Sequence, residues 1–113
     1  MDWTAELSNA NNNLDLFRKA QPAATKGFSA LHHATMQAGA VGAKEKELIA
    51  LSIGIAQQCI DCIGFHVKAA IAAGASRDEV SDVLAMTIQM GGGPAMMYAA
   101  KALDCFDELS NPS

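Results

Sequence analysis

Aromatic side chains are scarce in this 113-residue chain, which has four Phe, one Trp and one Tyr. Alanine, leucine, isoleucine and methionine take their place, and all but β-branched isoleucine are good helix formers. Strand-like alternation and two-residue hairpin signals are missing, which argues against a β-rich fold. No basic cluster exists either. Eight Lys and Arg face twelve Asp and Glu for a formal net charge of −4, and Arg18, Lys19 and Lys26 are scattered, so nucleic-acid binding is excluded as a main role. The stretch from Met1 to Asn13 holds no basic residue and no apolar run, unlike an export leader. The longest charge-free stretch, Val83 to Ala100, is interrupted by Gln89, three glycines and Pro94, so no membrane span is expected. These absences predict a cytoplasmic protein. Three cysteines in that compartment do not suggest a disulfide scaffold, and a close pair there points to redox or metal chemistry.

What is present suits one domain over residues 1–113, with a helical amino-terminal segment (1–40) and a core segment (41–110). Half the residues are apolar and only 18% are charged, a surplus that a homo-oligomeric interface would hide. The expected class is all-α with about six helices. Asp2 or Thr4 caps the first, whose apolar positions are Leu7, Leu14 and Phe17. Pro22 suits the first turn of a second, with Phe28 and Leu31 on its apolar side and Gly39 as its stop. A third, from about Ala43 to Gln57, is apolar almost all round and reads as central and buried. A fourth runs from near Cys59 to Gly74. Ser76 and Glu79 have the capping-box spacing and open a fifth. Pro94 starts a sixth, with Met97, Leu103 and Phe106 on its apolar side. Met86, Met90, Met96 and Met97 read as core or interface filling.

The chemistry sits in Cys59-Ile60-Asp61-Cys62-Ile63-Gly64-Phe65-His66, at the amino-terminal end of the fourth helix. Cys59, Cys62 and His66 are three and then four residues apart, so they share one helix face. Ile60, Ile63, Val67 and Ile71 form a separate stripe for the core. Two cysteines one turn apart can close a disulfide with little backbone movement. A helix amino terminus favours a thiolate, and a histidine one turn on can accept the thiol proton. An inert buried pair and a zinc site are the rival readings, though no second Cys/His pair follows at finger-like spacing. Glu47 shares a stripe with Ala50, Leu51, Gly54 and Gln58, small enough in part to permit close helix approach and to bury a carboxylate. A solvated first-turn glutamate is the alternative. Cys105 reads as a core or interface residue, and the adjacent His32 and His33 point apart and make a poor metal pair.

Glu47 followed twelve residues later by the CxxCxxxH of Cys59, Cys62 and His66 resembles the alkylhydroperoxidase D-like branch of the carboxymuconolactone decarboxylase superfamily. The resemblance is strongest from about Lys44 to Gly74. It implies an all-α fold, trimers or hexamers, and reduction of organic peroxides by the cysteine pair, with Glu47 and His66 relaying protons and no cofactor or metal. In that scheme one cysteine attacks, the other resolves, and an external dithiol or lipoyl-bearing protein restores the thiols; His66, one turn from Cys62, points to Cys62 as the attacker and Cys59 as the resolving residue. The best-known peroxidases of the branch carry a histidine between the cysteines, where this chain has Asp61. A muconolactone-decarboxylating lyase and a non-catalytic redox sensor that switches assembly are the alternatives.

Overall fold

A computed structural model describes residues 1–111; the final two residues of the expected domain, Pro112 and Ser113, lie outside it. Six α-helices follow one another: α1 (Trp3–Ala20), α2 (Pro22–Thr35), α3 (Ala43–Ala56), α4 (Ile60–Ala72), α5 (Arg77–Gly91) and α6 (Gly93–Ser110). There is no strand among the described residues, and none of their helices is long and apolar enough to cross a membrane.

Local signals set most of the boundaries. Asp2 caps α1 by accepting from the Ala5 N–H at 3.0 Å. Pro22 separates α1 from α2, because the residue before a proline avoids the helical region. Ser76 and Glu79 form the reciprocal capping box that opens α5. Gly92, at φ 78°, breaks the chain between α5 and α6, so α6 starts at Gly93, one residue before the expected Pro94. The second helix also ends early. Thr35 is its last residue and Met36 its cap, so Gly39 lies beyond it in the loop.

The core joins Leu48, Leu51 and Ile55 of α3, Ile63 and Val67 of α4, Val80 and Leu84 of α5, and Phe106 of α6. Ala95, Ala99 and Ala102 on the inner face of α6 keep the helices close. Trp3 completes this core from the other end of the chain. Its side chain is fully buried, and its indole N–H donates to Asp104 at 3.0 Å. Glu108 of α6 meanwhile accepts from the Trp3 and Thr4 backbone N–H groups, both at 3.0 Å. Those bonds hold the Glu108 carboxylate below its ordinary pKa. The last helix thus satisfies the orphan donors at the start of the first.

Several expected core residues face outward instead. Leu14 and Phe17 on α1, Phe28 and Leu31 on α2, and Met97 on α6 are exposed, as are Met86, Met90 and Met96. The third helix is not buried all round, since Ile49 and Ile53 face outward. A monomer of six helices has too few neighbours to cover them. α2 illustrates the limit, because it packs on α1, meets α3 through the Lys46 bond to Thr35 O at 2.9 Å, and buries no residue.

Trp3→Ala should destabilise the fold by about 3–5 kcal/mol, the usual cost of emptying a buried aromatic site. A lower urea midpoint with an unchanged slope is the expected reading.

Candidate functional site

Three residues, Gln57 to Cys59, turn the chain from α3 into α4. The N–H of Gln58 donates to Ile55 O at 3.0 Å and that of Cys59 to Gly54 O at 2.9 Å. This pairing is a Schellman closure, which needs a left-handed residue just past the helix. Gln58 fills that place at φ 55°, the only non-glycine residue of positive φ among those described. The same closure ends α4, where Gly74 takes the position at φ 93°.

Cys59 therefore closes α3 and also caps α4. Its sulfur accepts from the Cys62 N–H at 3.2 Å. Cys59 and Cys62 are joined in a disulfide, with Cα atoms 5.2 Å apart. In this state neither sulfur is a free thiolate for a metal. Once the pair is reduced, the helix end and the Cys62 N–H both favour a Cys59 thiolate. Both cysteines are half-buried.

Glycines bring the neighbouring helices up to this turn. A Cβ on Gly54 would lie 3.2 Å from the Cys62 Cβ, so α3 passes tightly behind the disulfide. A Cβ on Gly64 would come within 2.7 Å of Leu7 and 3.4 Å of the Trp3 ring, so α1 lies as close on another side.

That approach of α3 to α4 sets Glu47 against His66. The Glu47 carboxylate is buried, and its Oε2 lies 3.0 Å from His66 Nδ1. A carboxylate can only accept, so Nδ1 carries the proton and Nε2 of the neutral ring keeps its lone pair. His66 lies one turn beyond Cys62 on α4, where side-chain roots are about 5–6 Å apart. The four residues singled out by pattern, Glu47, Cys59, Cys62 and His66, are thus brought together at one helical hairpin.

Two neighbours had no signal in the sequence. Gln58 occupies a position that glycine usually takes. Glu6 of α1 reaches Asp61 in the first turn of α4, and hydrogen bonding to Asp61, partial burial and the like charge raise the Glu6 carboxyl above its ordinary pKa. A carboxyl pair therefore stands beside the disulfide. Other candidates lie elsewhere. Cys105 is fully buried in α6, where burial, then Glu108 and Asp104, push its thiol up to about 12. His32 and His33 are exposed on α2.

Gln58→Gly should stabilise the protein by about 0.5–1 kcal/mol, since glycine adopts the left-handed conformation without the Cβ penalty. A raised urea midpoint is the expected reading, and a lowered one would mean that the glutamine side chain makes compensating contacts.

Comparison with known proteins places this geometry in context. The model of the carboxymuconolactone decarboxylase family matches residues 22–104. An uncharacterised protein of Cupriavidus necator is 40% identical over 109 residues, covering 96% of each chain. A carboxymuconolactone decarboxylase family protein of Legionella pneumophila superposes with a TM-score of 0.93 at 41% identity, over 96% of this chain and 97% of its own. A family protein of Thermotoga maritima, for which a part in the antioxidative response has been suggested, superposes with a TM-score of 0.82 at 27% identity, over 93% of this chain and 90% of its own.

Proposed function

Because the chain belongs to the carboxymuconolactone decarboxylase family, we propose that it acts as a thiol–disulfide enzyme of the alkylhydroperoxidase D-like branch, reducing organic hydroperoxides in antioxidant defence. The observation that carries this reading is the Cys59–Cys62 disulfide at the start of α4, one turn from a histidine held by a buried glutamate. The antioxidative role suggested for the Thermotoga relative supports it.

The steps follow from the placement of the groups. His66 Nε2 takes the Cys62 proton, with Glu47 stabilising the imidazolium through Nδ1. The Cys62 thiolate attacks a peroxide oxygen. The O–O bond breaks, an S–O bond forms, and His66 returns the proton to the departing alkoxide, releasing the alcohol. Cys62 is then a sulfenic acid. The Cys59 thiolate, favoured at the helix end, attacks that sulfur and expels water once a proton is supplied. The net change is one peroxide and two thiols to one alcohol, one water and one disulfide. An external dithiol protein or a lipoyl-bearing protein then restores the pair by exchange. A decarboxylating lyase would have no use for the disulfide, and a redox sensor would have no use for the Glu47–His66 relay.

A free-thiol count on reduced protein, before and after one equivalent of an organic hydroperoxide, tests the scheme. Two of three thiols should be lost and then restored by a dithiol reductant, while Cys105 persists. Cys59→Ser and Cys62→Ser should each abolish turnover with the helical signal intact. Full activity in either variant, or no thiol loss in wild type, would end the two-cysteine reading.

Glu47→Gln should cost about 10²-fold in turnover, in line with the contribution of a general acid–base relay. Its disulfide should still form with a chemical oxidant. An unchanged rate would remove Glu47 from the relay.

A further inference from the structure

Four asparagines fall within the five residues from Asn9 to Asn13, inside α1. Asparagine is a poor residue for a helix interior, because its amide competes for backbone hydrogen bonds. α1 forms regardless, since Asp2 caps it and Trp3, Leu7 and Ala10 are buried. Within the run only Ala10 reaches the core, so the asparagines serve neither the packing nor the helix. Glutamate, lysine or glutamine would keep the same surface solvated without the helix penalty.

Two of these asparagines line a groove between α1, α4 and the end of α6. It measures about 390 Å³ and is walled mainly by Leu7, Ser8, Asn11, Asn12, Lys68 and Leu109, a size within the roughly 300–1,000 Å³ of small-molecule sites. Ser8, Asn11 and Asn12 follow Thr4 by four, seven and eight residues, so they share one flank of α1. Gly64 lets α4 approach that helix, since a Cβ there would lie 2.7 Å from Leu7. Lys68 is one turn beyond Gly64 on the same face of α4, and its side chain enters the groove. It lies two residues from His66, about 200° around the helix, so the groove and the cysteine pair occupy opposite sides of α4.

The lining favours one kind of ligand. Among the described residues Lys68 is the one charged side chain in the wall, in a chain where acids outnumber bases. The ion pairs of the described residues engage Arg18, Lys44, His66 and Arg77, and Lys68 is not among them. The amide N–H groups of Asn11 and Asn12 and the Ser8 hydroxyl can donate beside it. Leu7 and Leu109 supply an apolar floor. Glu108 stands at the Thr4 end, where it accepts from the Trp3 and Thr4 N–H groups and the Thr4 hydroxyl. Its charge repels an anion there, which leaves the asparagine end, two turns along α1, as the seat. We propose that this groove binds a small organic monocarboxylate, its carboxylate on Lys68, Asn11 and Asn12 and its apolar body over Leu7 and Leu109. The proposal is independent of the redox reading, because no cysteine takes part.

Titration of the full chain with octanoate, followed by amide NMR shifts, tests it. Wild type should saturate with one ligand per chain, and the shifts should centre on residues 7–12, Lys68 and Leu109. Octylammonium, which has the body but the opposite charge, and acetate, which has the head without the body, should each bind at least about tenfold more weakly. Lys68→Gln should weaken octanoate about tenfold, the loss expected of one charge-assisted contact. Asn11→Ala combined with Asn12→Ala should also weaken it while raising the thermal midpoint, since alanine is the better helix former. That opposite movement separates a lost contact from a damaged fold. Unsaturated shifts spread over Phe28, Ile49 and Met90, equal affinity for octylammonium, or unchanged octanoate affinity in either variant would overturn the proposal.

Discussion

The structure depends on the close passage of α3 behind α4 at Gly54. With no side chain there, the two helices meet almost backbone to backbone beside Cys62. The turn between them then has no slack. Cys59 must donate its N–H to the Gly54 carbonyl at the end of α3 while its sulfur caps the start of α4. The two sulfurs consequently sit at the positive end of a helix because the packing puts them there. The same approach, seven residues earlier along α3, places a buried carboxylate opposite His66. Reactivity and packing are thus two results of one helical contact, and any side chain at residue 54 would disturb both.

α1 serves that hairpin from outside. Trp3 and Leu7 press against Gly64, and Glu108 ties the start of α1 to the end of α6. Ion pairs such as Arg77–Asp107 and Lys44–Glu79 lace the remaining helices, but exposed pairs of this kind add little. What fixes α1 is burial of the tryptophan and satisfaction of its backbone donors. Through Glu6, the helix also brings a second carboxyl to Asp61, so the electrostatics next to the cysteine pair are set in part by a segment far away in sequence.

That distance explains what could be read from the amino acids alone. The capping box at Ser76, the proline at residue 22, and the shared face of Cys59, Cys62 and His66 are all patterns within one or two turns, and local geometry decides them. Glu47 was reachable because the small residues on its stripe signal close helix contact. Trp3 with Asp104, the Glu108 cap and the meeting of Glu6 with Asp61 join residues far apart in the sequence, and no spacing rule connects them. The outward-facing Phe17, Phe28 and Met97 were misread for a different reason. Apolar character shows that a residue prefers to leave water, but it does not show whether its own core or another molecule provides the cover.

The position of Cys105 has a consequence for behaviour under oxidising conditions. An odd cysteine normally exposes a chain to covalent cross-linking between molecules or to stray sulfur adducts. Here the third sulfur lies inside the helical core with its thiol held protonated, pushed up to about 12. Exchange partners therefore meet an even number of cysteines, and those two are already matched to each other. With its two reachable cysteines joined and the third enclosed, the folded chain presents no free thiol for a covalent link to a neighbour.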